Sequence, residues 1–165
     1  MTQYRALTEW RVEASVDRVW DALLLAREWP TWWRGFRSVE QLAPGDESGM
    51  GMVLRQRWRS LLPYTLTLDL EVTGIERHRL LEGRTSGDME GVCRWMFEAD
   101  GTGSVVRFLM AVEPTRAWMN LPLPFARQLF ALNYGAIMRW GGAGLARVLD
   151  APVAARTVVP APATG

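Results

Sequence analysis

Hydrophobic and polar positions alternate with a period of two at several points between Tyr4 and Val12, as a half-buried β-strand requires. The period then changes. Ser15 stands where it can cap a helix, Asp17 complements the helix dipole, and Val16, Val19, Trp20, Leu23 and Leu24 follow at i, i+3, i+4, i+7 and i+8 as one apolar face. In Trp29-Pro30-Thr31-Trp32-Trp33 the proline suits a first helical position, which predicts a second short helix ending by Gly35. From Val39 the period returns to two. Val39 to Leu42 reads as a short strand, and a Gly/Pro/Asp turn region covers 43–50. Met52 to Ser60 then alternates cleanly, with Met52, Leu54, Gln56 and Trp58 on one face and Arg55, Arg57 and Arg59 on the other. Leu66, Leu68, Leu70 and Val72 oppose Thr65, Thr67, Asp69 and Glu71 in the same way. Two strands therefore offer an apolar inner wall and a charged outer one, where arginines can meet carboxylates across the ladder. Leu80 to Thr85 and Val92 to Ala99 are further strands, and Asp100-Gly101-Thr102-Gly103 is a hairpin turn into Val105 to Val112, the seventh strand.

Past Glu113-Pro114 the pattern becomes helical. Phe130, Asn133, Tyr134, Ile137, Trp140, Gly141, Gly144, Leu145 and Val148 form one stripe, predicting a long helix from about Phe125 to Leu149. Pro122 and Pro124 upstream fit an extended lead-in or a kinked first turn. Residues 151–165 hold Ala, Pro, Thr and Val with one Arg, and are expected to be a disordered or loosely docked tail. Residues 1–150 are then a single α+β domain. A curved antiparallel sheet of about seven strands wraps around a long C-terminal helix, with two short helices after the first strand.

Composition narrows the chemistry. Nineteen basic against eighteen acidic residues leave a formal charge of +1, which gives a polyanion nothing to hold, so no nucleic-acid partner is expected. Every basic residue is arginine, as in the codon bias of a GC-rich bacterial genome. The single Cys93 cannot form an internal disulfide, and Met1 to Trp10 has no apolar signal core, so the expected compartment is the cytoplasm. The greasiest stretch, 117–140, is broken by polar residues and prolines, and no transmembrane segment is expected. One histidine and one cysteine leave no zinc ligand set, no phosphate or dinucleotide loop is present, and no metal or cofactor is expected.

The order of elements, with Ser15-Val16-Asp17-Arg18-Val19-Trp20-Asp21-Ala22-Leu23, Trp29-Pro30-Thr31-Trp32-Trp33, Val39-Glu40, Ser86-Gly87-Asp88-Met89-Glu90-Gly91 and 138–147, resembles the START-related helix-grip superfamily (SRPBCC). The likeness is to its bacterial polyketide cyclase/dehydrase and lipid-transport group. It covers about Tyr4 to Leu149. The resemblance implies a deep cavity between the concave sheet and the long helix, holding a lipid, sterol, polyketide or other apolar molecule. It implies no single reaction, since members range from carriers to aromatase/cyclases. Val16 stands where relatives often place proline. Asn133-Tyr134-Gly135 stands where relatives are expected to carry more polar residues such as His and Asp, which puts an acid/base group on this helix in doubt.

Individual residues sharpen the expectation. Trp58 and Trp95, mid-strand and in step with Leu54 and with Cys93 and Phe97, line the cavity, as do Leu68, Leu70, Phe108 and Ile137. Met52 and Met110 on the same walls can adapt to a guest's shape. Gln56 interrupts an apolar column and either bonds a neighbour or reaches a ligand oxygen. Asn133 and Tyr134 carry the same alternatives, with Tyr134 the preferred donor to a bound oxygen. Arg84 is an anion clamp if it points inward and a surface residue if Gly83 and Thr85 do. His78, within Glu76-Arg77-His78-Arg79, reads as a solvated strand end or turn, Asp88 and Glu90 as parts of a turn, and Cys93 as a small hydrophobe. The leading expectation is a binder or carrier of a hydrophobic small molecule. The alternatives are a polyketide cyclase or dehydratase polarising carbonyls with Tyr134, Arg84 or Gln56, and a protein-interaction module using an exposed Trp32/Trp33 patch. Ligand identity and oligomeric state are not legible.

Overall fold

The computed structural model describes residues 3–120 and 125–160, with the backbone alone at 118 and 120. Alternation places the first strand, β1 (Tyr4–Val12), with Tyr4, Ala6, Thr8, Trp10 and Val12 buried on one face. α1 (Val16–Leu24) follows and buries Val19, Trp20 and Leu23. Ser15 holds the N-cap position with extended backbone, but its side chain makes no capping hydrogen bond; its carbonyl accepts the Val19 N–H. A single 3₁₀ turn leads into α2 (Trp29–Trp32), with Pro30 in the first turn as expected.

The meander then runs through β2 (Phe36–Ala43), β3 (Val53–Trp58), β4 (Leu66–Glu76), β5 (Leu80–Gly87), β6 (Met89–Asp100) and β7 (Gly103–Pro114). Gly101, at φ 61°, makes the tight β6–β7 reversal that the sequence predicts. The outer arginine column does meet its carboxylates. Arg55 holds Asp69 through a two-pronged contact, Nε to Oδ1 at 2.8 Å and Nη2 to Oδ2 at 2.9 Å, which keeps the Asp69 carboxyl below its ordinary range. His78 is not simply solvated. At φ 61° it sets its ring edge against Trp20, centroids 5.8 Å apart, with Nδ1 3.3 Å from the Asp17 carboxylate, and ties the β4–β5 turn to α1.

α3 (Ala126–Leu149) is the long helix. The predicted lead-in at Pro122 and Pro124 lies outside the described residues. Beyond α3 the expected tail instead supplies an eighth strand, β8 (Val153–Val158), antiparallel to β1 from Val12↔Val153 to Leu7↔Val158. Asp150 in a left-handed conformation turns the chain back, and the Pro152 carbonyl accepts the Glu13 N–H. Small residues suit the place, because Ala155 and Val153 lie where a Cβ on Gly142 of α3 would touch them. The rest of the tail, 161–165, lies outside the described residues. The sheet order is β2-β3-β4-β5-β6-β7-β1-β8, every neighbour antiparallel.

The position of α3 decides where space is left. Its close backbone approaches are to β8, β1, α1 and α2, so the concave face of β3–β6 is bridged by side chains. The approach to α2 depends on missing Cβ atoms. One on Gly144 would lie 2.0 Å from the Trp32 carbonyl oxygen, and one on Gly141 would lie 2.4 Å from the Trp33 ring. The indoles exploit this closeness. Trp33 Nε1 donates to the Ile137 carbonyl at 2.8 Å and Trp10 Nε1 to that of Met138 at 3.2 Å. Trp32 and Trp33 are therefore buried, at 8% and 2% exposure, and the exposed tryptophan patch required by the protein-interaction reading does not exist. Among the described residues no helix is long and apolar enough to cross a membrane.

Candidate functional site

The gap between α3 and the sheet is divided into three small chambers in series, where a single deep cavity was expected. The outer one, about 100 Å³, lies between the start of α3 and the β3–β4 connection, lined by Tyr4, Tyr64, Met119, Phe130 and Asn133 among others. The middle one, about 70 Å³, sits between α3 and the inner faces of β3, β4, β6 and β7. Gln56, Leu68, Leu70, Trp95, Phe108, Met110 and Ile137 form its walls. The inner one, about 50 Å³, runs under α1 and is walled by Met52 and Leu54. Trp58 and Tyr134 belong to both outer and middle chambers; Trp29, Leu70, Cys93 and Trp95 belong to both middle and inner. A surface hollow of about 170 Å³ lies beyond, sharing Met52 and Leu54.

Aromatic rings make most of the dividing walls. Trp95 lies on Phe108 with centroids 4.3 Å apart, and Trp33 touches Trp10, Trp29 and Trp95 at 5.3, 5.1 and 6.2 Å. Tyr4, Phe130 and Tyr134 stack in sequence at 4.3 and 5.7 Å at the outer end. Within this apolar frame the Trp29 Nε1, Asn133 Oδ1 and Tyr134 hydroxyl are sealed from solvent without a protein hydrogen-bond partner. Burial pushes the Tyr134 phenol above its ordinary ionisation; Thr8 opposes this weakly, its own hydroxyl being engaged with Thr157 at 2.9 Å. Burial likewise pushes the Cys93 thiol up to about 12, so both groups keep their protons at neutral pH.

Residues 6–158 match the family described as polyketide cyclase / dehydrase and lipid transport. The chain belongs to this family. No curated protein matches it in sequence. Among solved structures it is similar to the Zhui aromatase/cyclase from Streptomyces sp. R1128, at 17% identity over 90% of this chain and 93% of that one, TM-score 0.68. A START superfamily protein from Mycobacterium smegmatis is similar at 14% identity over 89% and 97%, TM-score 0.71. A conserved protein from Geobacillus kaustophilus is similar at 10% identity over 90% and 98%, TM-score 0.69. At these identities the likeness establishes the shared helix-grip fold.

Of the residues expected to line the cavity or reach its contents in this polyketide cyclase / dehydrase and lipid transport family member, Arg84 alone lies off the chambers. It is exposed while Gly83 and Thr85 are buried, so it faces away from the chambers. The register leaves no choice: a Cβ on Gly83 would lie 2.5 Å from Leu70 Cδ1 and 3.2 Å from the Cys93 sulfur, which places that position inward and Arg84 outward. Asp88 is a brace for the turn, as expected, accepting the Thr67 N–H and both prongs of Arg116. The sequence reading missed Tyr4, Phe130, Trp29 and Trp33. Tyr4 was legible from the inward phase of β1, and Phe130 from its place one turn before Tyr134. Trp29 and Trp33 required knowing that α2 docks on a glycine face.

Proposed function

We propose that this chain binds an apolar small molecule, a lipid, polyketide or aromatic metabolite, between the sheet and α3. The observation that carries the reading is the series of apolar chambers, whose lining residues Trp29, Asn133 and Tyr134 each hold a buried polar atom without a protein partner. An unpaired buried donor or acceptor costs about 1–3 kcal/mol, a large share of a stability of about 5–15 kcal/mol. Three of the four such atoms among the described residues, on Trp29, Asn133 and Tyr134, belong to residues that line the chambers; the fourth, on Thr85, does not. The chambers are individually small beside a cavity of about 150 Å³ that takes up benzene, so a guest gains room when a dividing side chain such as Trp58 or Tyr134 turns aside. Native mass spectrometry of the purified chain tests the reading, followed by tryptophan fluorescence across fatty acids, sterols and polyphenols. Retained mass that is lost on organic extraction, and a saturable shift with one class of compound, support it. Silence in both counts against it.

A second reading is favoured by one feature. The Tyr134 phenol, protonated and unpartnered at the wall between two chambers, is placed to polarise a guest carbonyl, as a cyclase or dehydratase acting on a poly-ketone requires. Turnover of such a substrate, slowed at least about tenfold in Tyr134→Phe with affinity little changed, supports catalysis over carriage.

A further inference from the structure

Of the four spaces described above, the surface hollow of about 170 Å³ is the largest, and it exceeds the roughly 150 Å³ that takes up benzene. It lies outside the cavity, where the end of α1 and the 3₁₀ turn (Ala26–Glu28) meet β2 and β3. α1 turns Val19, Trp20 and Leu23 into the core, so Leu24 and the following Leu25 fall outward and are 43% and 63% exposed. Both line the hollow. Met52 and Leu54, the two residues it shares with the inner chamber, add to its apolar surface. A guest's hydrocarbon portion gains by covering these side chains.

The rim carries both signs of charge. Arg27 and Glu28, adjacent in the 3₁₀ turn, line the hollow, and among the described residues neither is ion-paired. α1 ends here with no basic residue in its last turn, so the partial negative charge of its carbonyl end is not offset from within the helix. Glu28 and that helix end attract a cation, whereas the planar fork of Arg27 suits a carboxylate. Gln41, exposed on β2 beside a shift of register, adds an amide that donates or accepts. A lone anion is repelled by Glu28 and the helix end, and a lone cation by Arg27. A molecule bearing both charges close together, with a hydrocarbon branch, answers all three features.

We propose that this hollow is a second binding site, separate from the cavity, for a small zwitterion of the chemistry of a hydrophobic α-amino acid. Its carboxylate meets Arg27, its ammonium meets Glu28 and the carbonyl end of α1, and its side chain covers Leu24, Leu25 and Met52. The site does not depend on whether the cavity holds a guest.

The test is heteronuclear NMR on the isotope-labelled full chain near neutral pH, titrated with four probes of one skeleton. They are leucine, isocaproate, which lacks the ammonium, isoamylamine, which lacks the carboxylate, and N-acetyl-leucine amide, which carries neither charge. Leucine is expected to shift the backbone amides of residues 24–28 and of Gln41 saturably, with a Kd on the order of 1–10 mM, because one side chain is partly buried and both charges stay near solvent. Each other probe is expected to bind about two- to fivefold more weakly. Arg27→Gln is expected to weaken leucine and isocaproate by about that factor and to spare isoamylamine; Glu28→Gln is expected to weaken leucine and isoamylamine and to spare isocaproate. The comparison of probes on the parent chain stands whether or not the variants fold. Any probe that binds as tightly as leucine overturns the zwitterion assignment, and folded variants that weaken all probes alike overturn the roles of Arg27 and Glu28. Shifts at the Trp58 and Trp95 indole N–H groups with residues 24–28 unmoved put the probe in the cavity and overturn the site. Silence from all four probes up to about 50 mM overturns it as well, and leaves the reading of the cavity untouched.

Discussion

Tyr134→Phe removes one oxygen from the wall shared by the outer and middle chambers and leaves the ring in place. Tyr134 is 4% exposed and its hydroxyl makes no well-formed hydrogen bond, only a weak interaction with the Thr8 hydroxyl, so in the ligand-free chain that group is desolvated with little return. Deleting it recovers about 1–3 kcal/mol. The opposing loss is the space of one oxygen atom, about 12 Å³, or about 0.3 kcal/mol at ~24 cal/mol per Å³. The ligand-free variant is therefore expected to be more stable than the parent by about 0.7–2.7 kcal/mol. An unfolding entropy of about 2.1 cal/mol/K per residue over 165 residues makes each kcal/mol worth about 3 °C, so the midpoint rises about 2–8 °C. The assay is differential scanning calorimetry on chain stripped of any guest, with urea titration to confirm the sign.

The same oxygen is offered to a guest, so affinity for any oxygenated ligand falls about three- to tenfold while stability rises. A lower midpoint in Tyr134→Phe refutes the reasoning, because it shows the hydroxyl to be bonded in solution, with Thr8 the nearest candidate. Thr85→Val supplies the contrast. Its hydroxyl is also buried and unpartnered but lies on none of the three chambers. That change is expected to stabilise by about 1 kcal/mol with ligand affinity untouched.

Gly144→Ala places a methyl 2.0 Å from the Trp32 carbonyl oxygen, backbone against backbone, and is expected to cost about 3 kcal/mol or about 9 °C; a loss under 1 kcal/mol would show that the helices dock less closely than described. Trp58→Ala joins the outer and middle chambers, costing about 3–5 kcal/mol while raising the association rate of a fluorescent guest in stopped flow. An unchanged rate there argues for entry past Met52 and Leu54 from the opposite end. Cys93 gives a pH signature. Its folded thiol ionises near 12 against an ordinary 9.0, so its contribution is complete below about pH 9 and is lost as pH rises toward 12, by up to about 1.4 kcal/mol per unit. Denaturation midpoints of Cys93→Ala should fall less steeply than those of the parent between pH 9 and 11; parallel curves mean that the thiol ionises freely in the fold.

The fold was legible where a residue's periodicity and its burial have the same cause. The inward column Leu54, Gln56 and Trp58 on β3 and the stripe Asn133, Tyr134 and Ile137 on α3 face each other because both alternations are set by one core. β8 was illegible because Val153–Val158 is stabilised by the β1 ladder and by the close passage of Gly142, neither of which leaves a hydrophobic pattern. Arg84 shows the limit of parity. A strand's two faces are equivalent until something fixes the phase, and here it is Gly83 lodged between Leu70 and Cys93. The partition of the cavity escaped for a related reason: rotamers, not sequence spacing, decide whether Trp58 and Tyr134 join two chambers or divide them.

The two sides of α3 differ in what holds them, and under the proposed binding function this bears on how a guest would be admitted. Toward α2, β1 and β8 the helix is fixed through its backbone: Gly141 and Gly144 admit Trp33 and Trp32, and two consecutive carbonyls receive indole N–H groups from Trp33 and Trp10. Separating that side breaks hydrogen bonds and close packing together. Toward β3–β7 the gap is spanned by the side chains of Trp58, Tyr134 and Phe108, whose rotation about χ1 would leave the strands in place. Expansion on that side costs only the contacts a guest can replace with its own. Under the proposed binding function the glycines of α3 would keep the helix seated while Trp58, Phe108 and Tyr134 would yield volume. Gly144→Ala should accordingly lower stability and affinity together, whereas Trp58→Ala should lower stability and quicken entry.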